Sequence, residues 1–492
     1  MKSLQYRLKS MYLLLTACLL TATAFNTTAE EINLPELGSP SDQYLTPSDE
    51  KRLGREFMLS VKKSTTVLDD PLIEAYIQDL GNRLLKQSDA NGQDYTFFVL
   101  EDPSINAFAG PGGYIGIYSG LILATQSESE LASVVAHEIA HVTQKHLLRA
   151  FDAANRMSGK TAALILASIL VGVAGSPDAG IAMATGAQAS AIQEQINFTR
   201  SNEEEADTVG IQILAEADFD PRAMPVFFER LTHASRLYES GIPEILRTHP
   251  VTTNRVADAL GRAENYNYRQ YPGSLRYYLT RETLRVAQFK EPKEAVKHFS
   301  SGLDEGRHLN EEAHQYGHAL ALIADHQYKK SALIIENLLR QRPQQMEYVL
   351  ASAEIARLLG NPQKALKILD THYQLTPQNH ALSVAYIEAL TDAKRYDEAR
   401  TAVTHAISLR ANSTRLYRLI SKVEELSGNQ AESHRLLAEA YVTEGRLRAA
   451  IQQLEIALRQ VEKKDFHQTS RIESRLSKLK EAAKQEEKKD KG

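Results

Sequence analysis

Apolar and polar positions follow two rhythms along this chain, and the change near residue 270 divides it. Before that point the rhythm is mixed. Leu53, Phe57, Leu59 and Val61, then Leu72, Ile73, Tyr76, Ile77, Leu80, Leu84 and Leu85, recur at helical intervals and predict helices within residues 48–88. Tyr95–Leu100 is β-branched and aromatic between polar flanks and predicts a strand. A turn-rich stretch, Asn106–Gly113, leads into Tyr114-Ile115-Gly116-Ile117-Tyr118, where the tyrosines and Gly116 share one face and the isoleucines the other. Glycine in a strand permits close approach of another backbone, so Tyr114, Ile115 and Gly116 suggest an edge strand to which an extended peptide adds; an ordinary hairpin is the alternative. Ser127 with Glu130 forms a capping box and opens a helix whose body, Val134–Val142, is apolar except for His137, Glu138 and His141. Ala162–Gly175 and Gly180–Ala191 are apolar and rich in small residues, and predict a buried helical hairpin or a surface for lipid or a membrane-protein client. Ser201–Asp207 opens the next helix, continued by Val209, Ile211, Ile213 and Leu214.

Beyond residue 270 the rhythm is wholly helical and repeats. Ala332, Ala365 and Ala399 are 33 and 34 residues apart, Pro343 and Pro377 are 34 apart, and turn-like Gly360-Asn361-Pro362, Arg395-Tyr396-Asp397 and Gly428-Asn429 punctuate them. Small residues at fixed places let paired helices approach, and proline ends each second helix. This is the tetratricopeptide period, whose helix pairs stack into a superhelix with a concave binding face. Stretches around Pro292/Ala295 and Gly445/Ala449 look like terminal copies. The expected architecture is a mostly helical α+β domain with a small sheet over 48–268, an all-α repeat domain over 269–477, and a solvated Lys/Glu-rich tail over 478–492.

Length and composition agree with this. A chain of 492 residues is too long for one ordinary core, and 43% hydrophobic with 24% charged residues is a globular balance. A net charge of −5 leaves no basic excess for nucleic acid. Lys2, Arg7 and Lys9, the apolar run Met11–Leu20 and Ala22-Thr23-Ala24 read as an export signal over residues 1–24, and 25–47 as an extended leader. Cleavage there removes three positive charges and Cys18, the single cysteine, so the exported chain carries −8 and needs no disulfide. Soluble export to the periplasm is the reading; a lipid anchor on Cys18 is the minor alternative.

The candidate chemistry lies in the apolar helix. Histidines four apart sit about 40° apart around a helix axis, so His137 and His141 can grip one ion from one face. A zinc ion, one per chain, explains why they occur with Glu138 in a buried helix: neutral imidazoles ligate it, and Glu138 faces its water. A chance HExxH in a structural helix is the alternative. Catalytic zinc needs a third protein ligand, for which Glu203 fits best, with Asp207 one turn later to accept a hydrogen bond from a ligand histidine. Glu204 and Glu205 suit an acidic first helical turn. His249 precedes Pro250 and so has an extended backbone; it could lean into the cleft as an oxyanion donor or fourth ligand. His146, about 140° from the ligand face, reads as solvent-facing.

Asn106-Ala107-Phe108 with Pro111-Gly112-Gly113, the His137–His141 motif, Glu203-x-x-Ala206-Asp207, and His249-Pro250 with Arg255 together resemble M48-family zinc metallopeptidases with C-terminal tetratricopeptide repeats. More narrowly, the chain is similar to the periplasmic β-barrel assembly-enhancing proteases of Gram-negative bacteria. The resemblance implies a zincin-like gluzincin fold with His137, His141 and Glu203 as zinc ligands, Glu138 as base, Asp207 behind a ligand, and His249 and Arg255 at the active-site rim. It also implies clients among unfolded or misassembled outer-membrane β-barrel proteins, including the lipopolysaccharide-assembly barrel. The barrel-assembly machinery would be met through the repeats, with peripheral contact with the outer membrane possible. The rival is a repeat-based holdase or adaptor with a latent or structural zinc. A membrane-embedded CAAX-type protease is disfavoured, because no further apolar segment reaches the roughly 20 residues of a span.

Overall fold

The structure is a computed structural model describing residues 46–90, 94–150, 189–237, 243–267, 270–462 and 464–489. The predicted signal peptide, nearly all of the leader and the apolar segment from 162 to 188 lie outside the described residues. No helix among those described is long and apolar enough to cross a membrane.

Two helices open the described chain. α1 (Pro47–Ser64) starts on Thr46, whose hydroxyl accepts from the Asp49 N–H; α2 (Pro71–Leu85) starts on Asp70, whose carboxylate accepts from Leu72 and Ile73. The apolar stripe of α2 (Ile73, Tyr76, Ile77, Leu80, Leu84) is buried, as its spacing requires. The sheet has three strands, β1 (Thr96–Leu100), β2 (Ala107–Ala109) and β3 (Tyr114–Tyr118), in the order β1-β3-β2. β1 runs parallel to β3, with Phe98 beside Gly116; β2 runs antiparallel, with Phe108 beside Gly116.

This order corrects the edge-strand expectation. Tyr114, Ile115 and Gly116 lie in the central strand, paired on both sides, and no peptide can add there. The space at Gly116 is taken by the ring of Phe108, which a Cβ would meet at 2.4 Å. That ring packs edge-on against Phe57, Phe98 and Tyr118. The outer strands are β1, whose far side is partly covered by a bridge to Val67, and β2, hidden within the turn-rich stretch because three residues carry too little periodicity to be read.

α3 (Ser119–Ala124) leads to α4 (Glu128–Thr143), which begins on Ser127 as its capping box requires. The box is shifted by one residue, since the Glu130 carboxylate accepts from the Gln126 N–H. Every residue of α4 from Glu128 to Ala140 is buried. α5 (Ala189–Glu216) begins twelve residues before Ser201, so Ser201–Asp207 lies inside a helix and not in a first turn. α6 (Ala223–Leu237), the short α7 (Glu244–Thr248) and α8 (Thr253–Ala263) complete the domain.

The repeats begin with α9 (Leu275–Ala287), then α10 (Pro292–Asp304) and α11 (Glu311–Ala324). The regular pairs are α12 (Tyr328–Gln341) with α13 (Met346–Leu358), α14 (Pro362–Leu375) with α15 (His380–Asp392), and α16 (Tyr396–Leu409) with α17 (Thr414–Leu426). α18 (Gln430–Thr443), α19 (Leu447–Gln460) and α20 (Phe466–Lys489) close the array. Ala365 and Ala399 are fully buried, and Pro343 and Pro377 fall just past α12 and α14. The backbone repeats more faithfully than the sequence: His326, Gly360, Lys394 and Gly428, each 34 residues after the last, all have positive φ. Only two of the four are glycine, so the sequence announces half of these turns.

Two boundaries need correction. Residues 478–489 continue α20, and Leu479 is buried with Ile472 and Leu476 against α19, so the described part of the tail is a capping helix with an apolar stripe. The division at 268–269 is also not a break between cores. Tyr277 and Leu284 of α9 belong to the first domain's core, whereas Leu279 belongs to the repeats. Farther along, the array touches the first domain again: Lys62 donates to the Thr443 carbonyl, Arg415 to the Asp69 carbonyl, and Arg410 pairs with Glu74.

Candidate metal centre and active site

The site forms where α4 and α5 pack face to face. Glu203, Asp207 and Gly210 follow at i, i+4 and i+7 on α5, one stripe turned toward α4. Gly210 permits the approach, because a Cβ there would stand 3.3 Å from the backbone nitrogen of His137. From α4, His137 and His141 point the other way across the same gap. Their Nε2 atoms are 3.0 Å apart, and each is 3.4 Å from an oxygen of Glu203. His249, at the end of α7, puts Nδ1 3.0 Å from Glu203 Oε1 and 3.4 Å from His137 Nε2. These four residues are a group of ligand atoms that could hold a metal ion. Ligands about 2.0–2.1 Å from zinc in a tetrahedron lie about 3.3–3.4 Å from one another, so the donor set fits in type and in spacing.

Electrostatics supports the same fit. Burial opposes charge on His137, but Asp207 and Glu203 outweigh it and push its pKa up to about 10. Burial likewise opposes charge on His249, and Glu203 and Glu138 overcome it, raising its pKa. Burial, with His137 beside it, holds His141 well below the usual imidazole range. Glu203 stays well below the carboxylate range, because the histidines around it offset its burial. Without a cation, the carboxylate of Glu203 and the neighbouring Asp207 and Glu138 are balanced by protons on imidazoles; a divalent ion does that work with the histidines neutral.

Behind the ligands, Asp207 Oδ1 lies 3.0 Å from His137 Nδ1, the position a carboxylate behind a ligand histidine would take. Arg255 is not at a rim. It is 3% exposed; its Nε and one terminal nitrogen donate to the two Asp207 oxygens at 2.7 and 2.9 Å. Its other terminal nitrogen is 3.0 Å from Glu203 and donates to the Pro250 carbonyl at 2.8 Å. The guanidinium fork therefore ties α8, α5 and the His249–Pro250 turn together. Burial holds Asp207 up, but His137 and Arg255 bring it below the usual range.

Glu138 is 1% exposed, with Oε1 3.4 Å from His249 Nε2. Its oxygens accept no well-formed hydrogen bond among the described residues, and burial pushes its pKa up. A buried carboxylate left without donors is poised to take a proton from something that binds there. An apolar hollow lined by Val134, Phe228, Leu231, Ile245, Leu246 and Val251 opens beside His137 and His249.

His146 overturns the solvent-facing expectation. It is 5% exposed, and its Nδ1 lies 2.7 Å from Nδ1 of His141. The 140° argument assumed a continuing helix, but Lys145 has φ +55° and folds the chain back under His141. Glu205, read as part of an acidic first turn, meets His146 Nε2 at 3.1 Å and accepts from Arg149 at 2.7 Å. No local signal marks a left-handed lysine, so this group was not legible in the sequence.

The profile of peptidase family M48 matches residues 71–263. A putative β-barrel assembly-enhancing protease of Vibrio cholerae is 34% identical over 425 residues, covering 86% of this chain and 87% of the relative. The chain belongs to peptidase family M48. As an M48 peptidase it is a metalloprotease, and the four-residue cluster is where its metal would be held. The β-barrel assembly-enhancing protease of Escherichia coli K12 is 32% identical over 463 residues, 94% of this chain and 93% of that one. Residues 324–406, within the repeats, match a profile described as anaphase-promoting complex, cyclosome, subunit 3. A solved tetratricopeptide protein of Thermus thermophilus is 23% identical, covers 33% of this M48 chain and 97% of its own, and superposes with a TM-score of 0.24.

Proposed function

We propose that this chain is a periplasmic zinc endopeptidase (EC 3.4.24) with chaperone-like activity. It promotes assembly of outer-membrane β-barrel proteins and degrades misassembled ones, meeting the barrel-assembly machinery through its repeats. The observation that carries the catalytic part is the convergence of His137, His141 and Glu203 beside a buried, undonated Glu138. The names of the Vibrio cholerae and Escherichia coli relatives support the barrel-assembly part. The export signal read at residues 1–24 supports the compartment.

His137, His141 and Glu203 would hold zinc, with His249 able to join them. Bound there, zinc supplies Lewis acidity, polarising an amide carbonyl and making a water acidic near neutral pH. Glu138 takes the proton of the attacking water on a carboxylate oxygen and returns it to the leaving amine. His249 Nε2, on the Glu138 side, is placed to donate to the oxyanion. β2, whose partner lies on one side only, is the strand along which an extended substrate would lie. The test is zinc content and casein cleavage with and without a chelator. The expected result is about one zinc per chain, with cleavage lost on chelation and regained on adding zinc; cleavage that survives removal of all metal overturns the reading.

A second reading, a holdase or adaptor with a latent zinc, is favoured by one contact: His249 Nδ1 within the ligand group. If His249 blocks the open position, His249→Ala cleaves unfolded casein several-fold faster than the parent. Unchanged or slower cleavage sinks latency and leaves His249 as an oxyanion donor.

A further inference from the structure

The second nitrogen of each ligand histidine faces a polar side chain, and only one of the two is a carboxylate. His137 turns Nδ1 to Asp207, whereas His141 turns Nδ1 to another imidazole, His146, at 2.7 Å with the rings edge to face. Two ring nitrogens this close must share one proton between them. For His141 to ligate through Nε2, its Nδ1 carries the hydrogen, so His146 Nδ1 must be the bare acceptor. The single proton of His146 then sits on Nε2, 3.1 Å from Glu205 Oε2. Arg149 donates to that oxygen at 2.7 Å and to Asn202 Oδ1 at 2.6 Å, fixing the carboxylate on α5. From the Arg149 terminal nitrogen through Glu205 and His146 to His141, each contact pairs one donor with one acceptor, and only one arrangement of the imidazole protons satisfies them.

Resting on the metal reading above, we propose that His146, Glu205 and Arg149 form a positioning relay. It holds His141 as the Nδ1-protonated tautomer and so sets how tightly the chain keeps its metal. His146 touches neither metal nor substrate, and it acts through the imidazole it orients. Losing such a partner behind a ligand costs about 10–100-fold in metal affinity. The relay also links the segment after α4 to α5, so it braces the two ligand-bearing elements against each other.

The experiment is a competition titration of the full chain with zinc alone against a chromophoric chelator, for the parent, His146→Leu, His146→Asn and Glu205→Gln. Asparagine places an amide oxygen where Nδ1 stood, and so restores the acceptor without the ring. The expected result is zinc affinity reduced about 10–100-fold in His146→Leu, recovered largely in His146→Asn, and reduced several-fold in Glu205→Gln. A role in packing alone predicts the reverse order, with the smaller, more polar asparagine no better than leucine. Parental affinity in His146→Leu, or equal weakness of the leucine and asparagine variants, overturns the relay while the metal reading stands. A parent that binds no zinc overturns both. If His146→Leu does not fold, Glu205→Gln and His146→Asn decide, because Glu205 is partly exposed and its amide is nearly isosteric; parental affinity in Glu205→Gln then overturns the relay.

Discussion

Glu138→Gln is expected to bind zinc with the parent's stoichiometry, melt within a few degrees of it, and cleave casein about 10²–10⁴-fold more slowly. Glutamine has the same shape, so a side chain that is 1% exposed in α4 can be replaced without opening a void. None of the ligand atoms changes. What disappears is the ability to carry a proton between water and leaving amine, for which the buried carboxylate, with its pKa raised by burial, is well matched. The measurement is turnover of casein at matched zinc content, with unfolding followed in parallel. Equal turnover by the variant and the parent rules out this role for Glu138.

The second large effect falls on Arg255. Arg255→Leu removes a buried cation from between Asp207 and Glu203 and leaves two carboxylates facing each other within a few ångströms of His137. Breaking a buried pair by deleting one partner costs about 3–5 kcal/mol, because the charge left behind is uncompensated. The Pro250 carbonyl also loses its donor, which frees the turn that carries His249. Urea unfolding of metal-free protein should show that loss. Zinc should recover part of it by neutralising Glu203, since a ligand that binds only the folded state stabilises it. Arg255→Lys should recover little, because an ammonium cannot form the two parallel bonds to Asp207. A destabilisation below about 1 kcal/mol in the leucine variant would show that Arg255 is not the keystone of these carboxylates.

What the sequence revealed about this site follows from which residues are tied together by short spacing. His137, Glu138 and His141 were legible because a helix fixes residues four apart, and Glu203 with Asp207 for the same reason. Contacts made by breaking a helix were not. Helical continuation points His146 to solvent, since nothing in Gln144-Lys145-His146 announces a left-handed lysine. The resemblance implies a rim position for Arg255, since an arginine shows its charge in sequence but not the two acids it is buried against. Gly116 in sequence fits either room for a substrate backbone or an ordinary hairpin, and the structure fills that room with Phe108. The repeats were legible through their small residues and prolines, but the 34-residue recurrence of positive φ passes through His326 and Lys394 unseen. The charged residues of 478–485 are mostly exposed, as a solvated tail requires, but they hide from the sequence the one buried leucine, Leu479, that anchors this stretch as helix.

Tyr277 lies wholly within the first domain's core, with its hydroxyl 2.9 Å from that of Thr125, while Leu279 two residues later serves the repeats. Ser274 and Arg281 bind the stretch just before and at the start of α4, through Glu128, Thr125 and Leu123. The seam between the halves is therefore a shared helix, not a hinge. A peptidase fragment ended at residue 268 would carry a tyrosine-sized hole, and a repeat fragment begun at 269 would show that tyrosine to water. Anyone grafting a foreign superhelix onto this peptidase would have to keep Leu275–Ala287 with the enzyme and splice after it.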